Sequence, residues 1–101
     1  MKYGLDDLVI EKICGIFTQF PTIHKAVLYG SRAKGNYKPG SDIDLCLFGE
    51  NLNQTLLYRI EEALDDLLLP YTFDLSDYYN LSNQDLINHI DRVGIIFYQK
   101  P

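Results

Sequence analysis

The chain has two aspartates separated by one residue, Asp42 and Asp44, whose carboxylates are candidates for a functional site. They begin an apolar segment, residues 42–48, that predicts a β-strand, and alternate residues of a strand point to the same face. Two carboxylates on one face repel each other and shift each other's pKa values. A divalent cation between them relieves that repulsion, and carboxylate oxygens are ligands that Mg²⁺ prefers. The pair therefore predicts a magnesium site.

A glycine–serine pair lies at the end of the preceding predicted strand. Gly30 and Ser31 follow the strand predicted over residues 25–29 and begin a turn with at most one helical turn. A glycine lets the backbone approach a phosphate closely, and backbone N–H groups at such a turn can face an anion. The Ser31 hydroxyl can donate to a phosphate oxygen, and Arg32 adds positive charge beside it. We therefore predict that Gly30, Ser31 and Arg32 bind a nucleotide.

A third carboxylate, Asp74, lies in the strand predicted over residues 71–76. If this strand pairs with the strand of Asp42 and Asp44, the three carboxylates lie close together. Three carboxylates can hold a pair of metal ions about 4 Å apart, which clamp the reacting oxygens of an in-line displacement. Asp74 could also serve as the general base. Asp42, Asp44 and Asp74 are thus the predicted metal ligands and catalytic residues.

The spacing of apolar residues predicts the elements that position these groups. Helices are predicted over residues 5–20, 54–69 and 83–92, and a fourth strand over residues 95–99. With the turn after Gly30 counted as a helix, the order is αβαβαβαβ, which is typical of an α/β (α+β) fold with helices covering a sheet. Ser82 is the predicted N-cap of the last helix, and Gly94 is its predicted C-terminal glycine.

Length and charge narrow the range of functions. A chain of 101 residues predicts a single domain, residues 1–101, and the net charge of −5 argues against direct polynucleotide binding. A nucleotide remains possible because bound metal ions screen phosphate charge.

Cys14 and Cys46 lie in apolar segments without metal-ligand spacing, which indicates free thiols in a reducing compartment. No apolar stretch approaches the roughly 20 residues that cross a bilayer. We therefore expect a cytoplasmic protein.

The segment from Gly30 to Asp44 resembles the DNA polymerase β nucleotidyltransferase superfamily, whose pattern is Gly-Ser, ten residues and Asp-x-Asp. The two motifs, Gly-Ser-Arg-Ala-Lys-Gly and Ser-Asp-Ile-Asp-Leu, are most similar to those of the minimal nucleotidyltransferases that are paired with HEPN-domain proteins. The resemblance covers residues 5 to about 99. It implies a mixed four-stranded sheet, metal binding by Asp42 and Asp44 with Asp74 as the third acid, and triphosphate binding by Gly30 and Ser31.

The resemblance also implies a function. In such pairs the HEPN protein is a ribonuclease toxin and the nucleotidyltransferase is its antitoxin, and some of these antitoxins transfer AMP to a tyrosine of the toxin. We therefore expect Mg²⁺-dependent transfer of AMP from ATP, through two Mg²⁺ ions, onto a HEPN-domain partner. A chain this short has little room for an acceptor pocket, so a partner or a second copy is expected to complete the site. The alternatives are a binding-only antitoxin and a nucleotidyltransferase that acts on a small molecule.

Several other conspicuous residues carry no predicted chemistry. His24 and His89 have no metal-ligand spacing and are interpreted as structural or exposed. The acidic residues of the segment 61–66 are interpreted as the solvated face of a helix. The tyrosines are assigned to the core or to an interface.

Overall fold

Helices and strands alternate along the chain, as the sequence predicts. The computed structural model describes all residues, 1–101. The elements are α1 (Asp7–Thr18), β1 (Ile23–Tyr29), α2 (Gly30–Lys34), β2 (Ile43–Gly49), α3 (Gln54–Asp65), β3 (Phe73–Asp77), a 3-10 helix (Tyr78–Asn80), α4 (Gln84–Val93) and β4 (Ile95–Gln99). All the predicted elements are present, and most of their ends differ from the prediction by one or two residues.

The four strands form one mixed sheet in the order β3-β2-β1-β4. Strand β1 is antiparallel to both β2 and β4, whereas β2 and β3 are parallel. A parallel pair needs a crossover connection, and α3 with its flanking loops provides it. The predicted α/β class with a mixed four-stranded sheet is therefore confirmed.

The side chains of strand β2 alternate between the two faces of the sheet. Its residues Ile43, Leu45 and Leu47 are fully buried in the main core, which α1 and α3 cover. The alternate residues point to the opposite face, where Ile90 of α4 packs in a smaller cluster with Cys46. The sequence predicts this alternation, because a strand with one apolar and one mixed face has only one way to orient itself on a core.

Helix α3 is shorter than predicted. It ends at Asp65 rather than residue 69, and the amides of Leu67 and Leu68 bond back over three residues to Leu64 and Asp65. These tighter bonds turn the chain towards β3. Leu68 has a φ of 55° and an 89% exposed side chain. The predicted helix end at residue 69 was wrong because the chain turns before the apolar periodicity ends.

The predicted N-cap of α4 was wrong, whereas Gly94 occupies the C-cap as predicted and its amide donates to the Ile90 carbonyl oxygen. The N-cap is Asn83 rather than Ser82, and its side chain accepts from the Leu86 amide at 3.1 Å. Gly94 has a φ of −61°, so it does not adopt the left-handed conformation of a C-terminal glycine. A glycine is needed there for another reason: a Cβ atom would overlap the Ile90 carbonyl oxygen and lie 2.6 Å from Val27 Cγ1. The end of α4 thus lies directly against β1.

Two further observations concern the cysteines and the helices. Cys46 is buried, Cys14 is partly buried, and both are free. None of the helices combines the length and the apolar character that crossing a membrane requires.

Alanine substitutions at two glycines are expected to have opposite effects. Gly94→Ala should lower the free energy of unfolding by about 1–3 kcal/mol, because the added methyl group overlaps α4 and β1. Gly15→Ala is the matched control, since Gly15 lies within α1 and has no atom near its Cβ position. It should raise the free energy of unfolding by about 0.5–1 kcal/mol. Urea unfolding measures both, and a Gly94→Ala variant as stable as the parent would contradict the packing described here.

Candidate active site

The register of the sheet brings two of the predicted carboxylates together. Asp44 of β2 pairs with Asp74 of β3, and on its other side with Tyr29 of β1. Neighbouring strands lie about 4.8 Å apart, so the three side chains form a row on the face opposite the main core. Asp42 is exposed and immediately precedes β2, two residues from Asp44. The expectation that the third strand lies beside the second is confirmed, and Asp42, Asp44 and Asp74 share one edge of the sheet.

The predicted glycine–serine pair lies over this edge. The antiparallel pairing of β1 and β2 places the end of β1, and therefore Gly30 and Ser31, beside the start of β2. We call Gly30 and Ser31 the Gly-Ser turn. Gly30 has a φ of +73°, and a Cβ atom there would overlap Oδ2 of Asp44. Both facts require glycine, because only glycine adopts this φ freely and leaves room for the carboxylate. The turn and the carboxylates are therefore parts of one site.

The site has an excess of negative charge. Burial, as the largest cause, and the charges of Asp74 and Asp42 together raise the pKa of Asp44 to about 6, while Arg32 acts in the opposite direction. Burial also raises the pKa of Tyr29, the neighbour of Asp44 in the row, to about 12. Tyr29 therefore stays neutral, and the negative charge belongs to the carboxylates.

These carboxylates fit a divalent cation. Their oxygens are hard ligands of the kind Mg²⁺ takes, and a cation would relieve the repulsion that raises the pKa of Asp44. The carboxylates are spread out rather than gathered: no three His, Cys, Asp or Glu side chains form a closed metal-ligand set in the chain. The site is thus an open acidic edge, to which Asp42, Asp44 and Asp74 can each contribute oxygens.

The side chain of Arg32 is held by the backbone, and its predicted nucleotide contact stays a prediction. Its side chain is only 2% exposed. The guanidinium donates to the carbonyl oxygens of Ser41, Pro39 and Tyr3 at 2.8–3.3 Å through four hydrogen bonds. Four of its five N–H groups are therefore committed to the backbone. Arg32 ties the loop before β2 to the N-terminal segment, and in this way it holds the strand that carries Asp44.

His89 belongs to the surroundings of the site, although its sequence context gave no indication of this. Its Nε2 accepts a hydrogen bond from the Gly30 amide at 3.1 Å. Its ring lies edge-on to the ring of Tyr29, with centroids 6.1 Å apart. The interpretation of His89 as a residue without a site was incomplete, because 59 residues separate it from Gly30. No local spacing could have related the two.

The geometry can be compared with known proteins. The family model described as "Polymerase beta, Nucleotidyltransferase" matches residues 11–101, which include the Gly-Ser turn and all three carboxylates. The chain belongs to this nucleotidyltransferase family. The nucleotidyltransferase is also 31% identical over 96 residues to a protein of Haemophilus influenzae named "Probable protein adenylyltransferase MntA". That match covers 94% of the chain and 82% of the relative.

Solved structures share the fold. A crystal structure of a toxin–antitoxin with AMP-PNP contains a chain that matches with a TM-score of 0.75 and 22% identity, over 90% of the nucleotidyltransferase and 73% of that chain. A structure of a tri-AMPylated Shewanella oneidensis HEPN toxin in complex with an MNT antitoxin matches with a TM-score of 0.71 and 19% identity, over 95% and 74% of the two chains. At these identities the likeness concerns the fold alone.

Removal of the Asp44 charge is expected to stabilise the cation-free nucleotidyltransferase above pH 6. Because the pKa of folded Asp44, about 6, lies above its ordinary value of 3.8, the folded state binds this proton more tightly than the unfolded state. Stability is therefore lost as the pH rises from about 4 through 6. Asp44 is partly exposed, so solvent screening limits the expected gain of Asp44→Asn to about 1 kcal/mol at pH 8. Urea unfolding with a chelator at pH 5 and pH 8 measures this gain, and the exposed change Asp66→Asn is the control. A parent protein more stable than Asp44→Asn at pH 8 would show that the charge of Asp44 does not destabilise the fold.

Arg32→Lys is expected to destabilise the nucleotidyltransferase despite keeping the charge. A lysine cannot reproduce the fork of four hydrogen bonds, and partly buried carbonyl oxygens lose their donors, which costs about 2 kcal/mol. Lys34→Gln, an exposed change on the same helix, should alter stability by less than about 0.5 kcal/mol. Thermal unfolding compares the two variants. If Arg32→Lys kept full stability but lost nucleotide binding, Arg32 would be a nucleotide contact after all.

Proposed function

We propose that this protein is a Mg²⁺-dependent nucleotidyltransferase that moves AMP from ATP onto a protein hydroxyl, that of a tyrosine on a HEPN-domain toxin, and so acts as its antitoxin. One observation carries the proposal: Asp44 and Asp74 lie side by side on parallel strands, and Gly30 of the Gly-Ser turn lies directly against Asp44. An anion-binding turn over a cation-binding edge matches a metal–triphosphate, which has both kinds of charge.

The residues have distinct roles in this reaction. The Gly-Ser turn holds the triphosphate: Gly30 allows the close approach, and the Ser31 hydroxyl donates to a phosphate oxygen. Asp42, Asp44 and Asp74 would hold two Mg²⁺ ions, which when bound neutralise triphosphate charge and lower the pKa of the acceptor hydroxyl. The acceptor oxygen forms a bond to the α-phosphorus of ATP as the bond to pyrophosphate breaks. Asp74 is exposed at the site edge and would take the proton that the hydroxyl loses.

The shape of the site supports a macromolecular acceptor. Asp42 and Asp74 are exposed, and none of the three cavities of the structure is lined by Asp42, Asp44 or Asp74. A small-molecule acceptor needs a cavity that holds it, whereas a hydroxyl on another protein can reach an open edge. The name of the Haemophilus influenzae relative, a protein adenylyltransferase, favours the same choice.

Charge and the structural matches support the choice of partner. The net charge of −5 disfavours a polynucleotide as the acceptor. The toxin–antitoxin complexes among the matching structures, one of them with an AMPylated HEPN toxin, favour a HEPN-domain protein as the partner in a hetero-oligomer. The two free thiols agree with a reducing cytoplasm.

Intact-mass spectrometry of the HEPN-domain partner tests the proposal. Incubation with this protein, ATP and Mg²⁺ should add one or more AMP units to the partner. Asp42→Asn combined with Asp44→Asn should abolish the addition while the fold survives, because the substitutions remove charge without changing shape. Asp65→Asn combined with Asp66→Asn is the matched control, since it makes the same charge change on exposed residues near the end of α3 and should leave the transfer intact.

Two outcomes would reject the enzymatic proposal. Unchanged transfer by the Asp42 and Asp44 double variant would remove these carboxylates from the reaction. A tight complex in which the partner gains no mass, and is neutralised equally well by the double variant, would indicate a binding-only antitoxin.

A further inference from the structure

A hydrogen bond joins α4 to the Gly-Ser turn. The Gly30 amide donates to Nε2 of His89 at 3.1 Å, between residues 59 positions apart. An imidazole nitrogen accepts a hydrogen bond only when it carries no proton, so the histidine that makes this bond is neutral with its proton on Nδ1. The Nε2 lone pair is committed to the backbone in this state and is not free to act as a general base.

Packing against β1 keeps the His89 ring in this place. The ring meets the Tyr29 ring edge-on, at an interplanar angle of 81°. The next residue of α4, Ile90, is buried against Val27 and Tyr29 of β1. Because the ring and the helix backbone both rest on β1, the position of Nε2 is fixed relative to the end of that strand, where Gly30 lies.

Gly30 needs an external restraint of this kind. Glycine adopts positive and negative φ almost equally well, so the residue itself does not select the observed φ of +73°. The direction of the Gly30 N–H sets the plane of the peptide that joins Tyr29 to Gly30. On the other side of Gly30, α2 holds the backbone, because the Gly35 amide donates to the Ser31 carbonyl oxygen at 2.9 Å. With the backbone held on both sides, Gly30 keeps its φ and the Ser31 amide keeps its direction. The bond to the Gly30 amide therefore helps to orient the Gly-Ser turn.

We propose that His89 is a positioning residue for nucleotide binding: its Nε2 holds the Gly30 amide and so keeps the Gly-Ser turn in the conformation that receives the triphosphate. This inference rests on the proposed function, because it gives the shape of the turn a role in holding ATP. His89 acts through Gly30, so its loss weakens nucleotide affinity and leaves the transfer step itself nearly unchanged. Preorganisation of this kind reduces the ordering that binding would otherwise require.

Two substitutions distinguish the effect of the hydrogen-bond acceptor from the effect of side-chain volume. His89→Gln keeps a neutral acceptor that reaches the position of Nε2, whereas His89→Leu has a similar size and no acceptor. Both leave α4 with residues of good helix propensity, so the fold is expected to survive. Asn88→Ala is the matched control, because Asn88 is the exposed neighbour of His89 on the same helix.

The first measurement is hydrogen exchange of the Gly30 amide by NMR, in the nucleotide-free protein. His89→Leu should speed this exchange by about tenfold or more, which is the effect of losing one hydrogen bond, while His89→Gln should stay within about threefold of the parent. The second is the dissociation constant of AMP-PNP with Mg²⁺, together with KM for ATP and kcat. His89→Leu should raise the dissociation constant and KM about tenfold and leave kcat within about twofold, and His89→Gln should restore most of the affinity.

Each contrary result is decisive. Unchanged Gly30 exchange or unchanged affinity in His89→Leu would overturn the inference, as would a fall in kcat without any change in affinity. Failure of the proposed function would be distinguishable, because neither the exchange nor AMP-PNP binding requires an acceptor. A parent protein that binds AMP-PNP with Mg²⁺ but transfers no AMP would overturn the proposed function, and the role of His89 would still be decided by these two measurements. A parent that binds no AMP-PNP would overturn both.

Discussion

Asp44 and Asp74 meet across the parallel pairing of β2 and β3, where partial burial weakens the screening of their repulsion. The strands cannot move apart to relieve it, because the opposite face of β2 carries fully buried apolar residues that pack under α1 and α3. The core thus holds two like charges close together. Burial, and after it this repulsion, raises the pKa of Asp44, and both make the site attractive to a cation.

Two polar side chains near the carboxylates, those of Arg32 and His89, bond the backbone rather than the carboxylates. Arg32, the cation that lowers the pKa of Asp44, donates to three carbonyl oxygens of neighbouring loops. His89 accepts from the Gly30 amide. These groups shape the site, and the carboxylate charge remains largely uncompensated within the chain. Compensation from metal ions that arrive with a nucleotide follows the general pattern of phosphoryl-transfer sites.

The two faces of the sheet divide stability from function. The face under α1 and α3 contains most of the buried apolar residues. The other face has a small apolar cluster around Ile90, and its site edge is left open. Family membership sets the class of reaction, whereas the open edge sets which acceptors can reach it. In the proposed function, the partner would supply the surface that positions the acceptor at this open site.

The amino-acid sequence by itself determined the features that depend on local order. The strand alternation of residues 42–48, the order of helices and strands, and the shared site of Gly30, Ser31, Asp42 and Asp44 could all be predicted, because periodicity and motifs act over a few residues.

Tertiary structure decided the rest: the register of Asp44 with Asp74, the burial of Arg32 among loop carbonyls, and the bond from Gly30 to His89. It also decided why Gly94 is glycine, since the reason is the approach of α4 to β1. These contacts join residues that are far apart in the chain or whose partners depend on how loops pack, and no local pattern specifies such pairs.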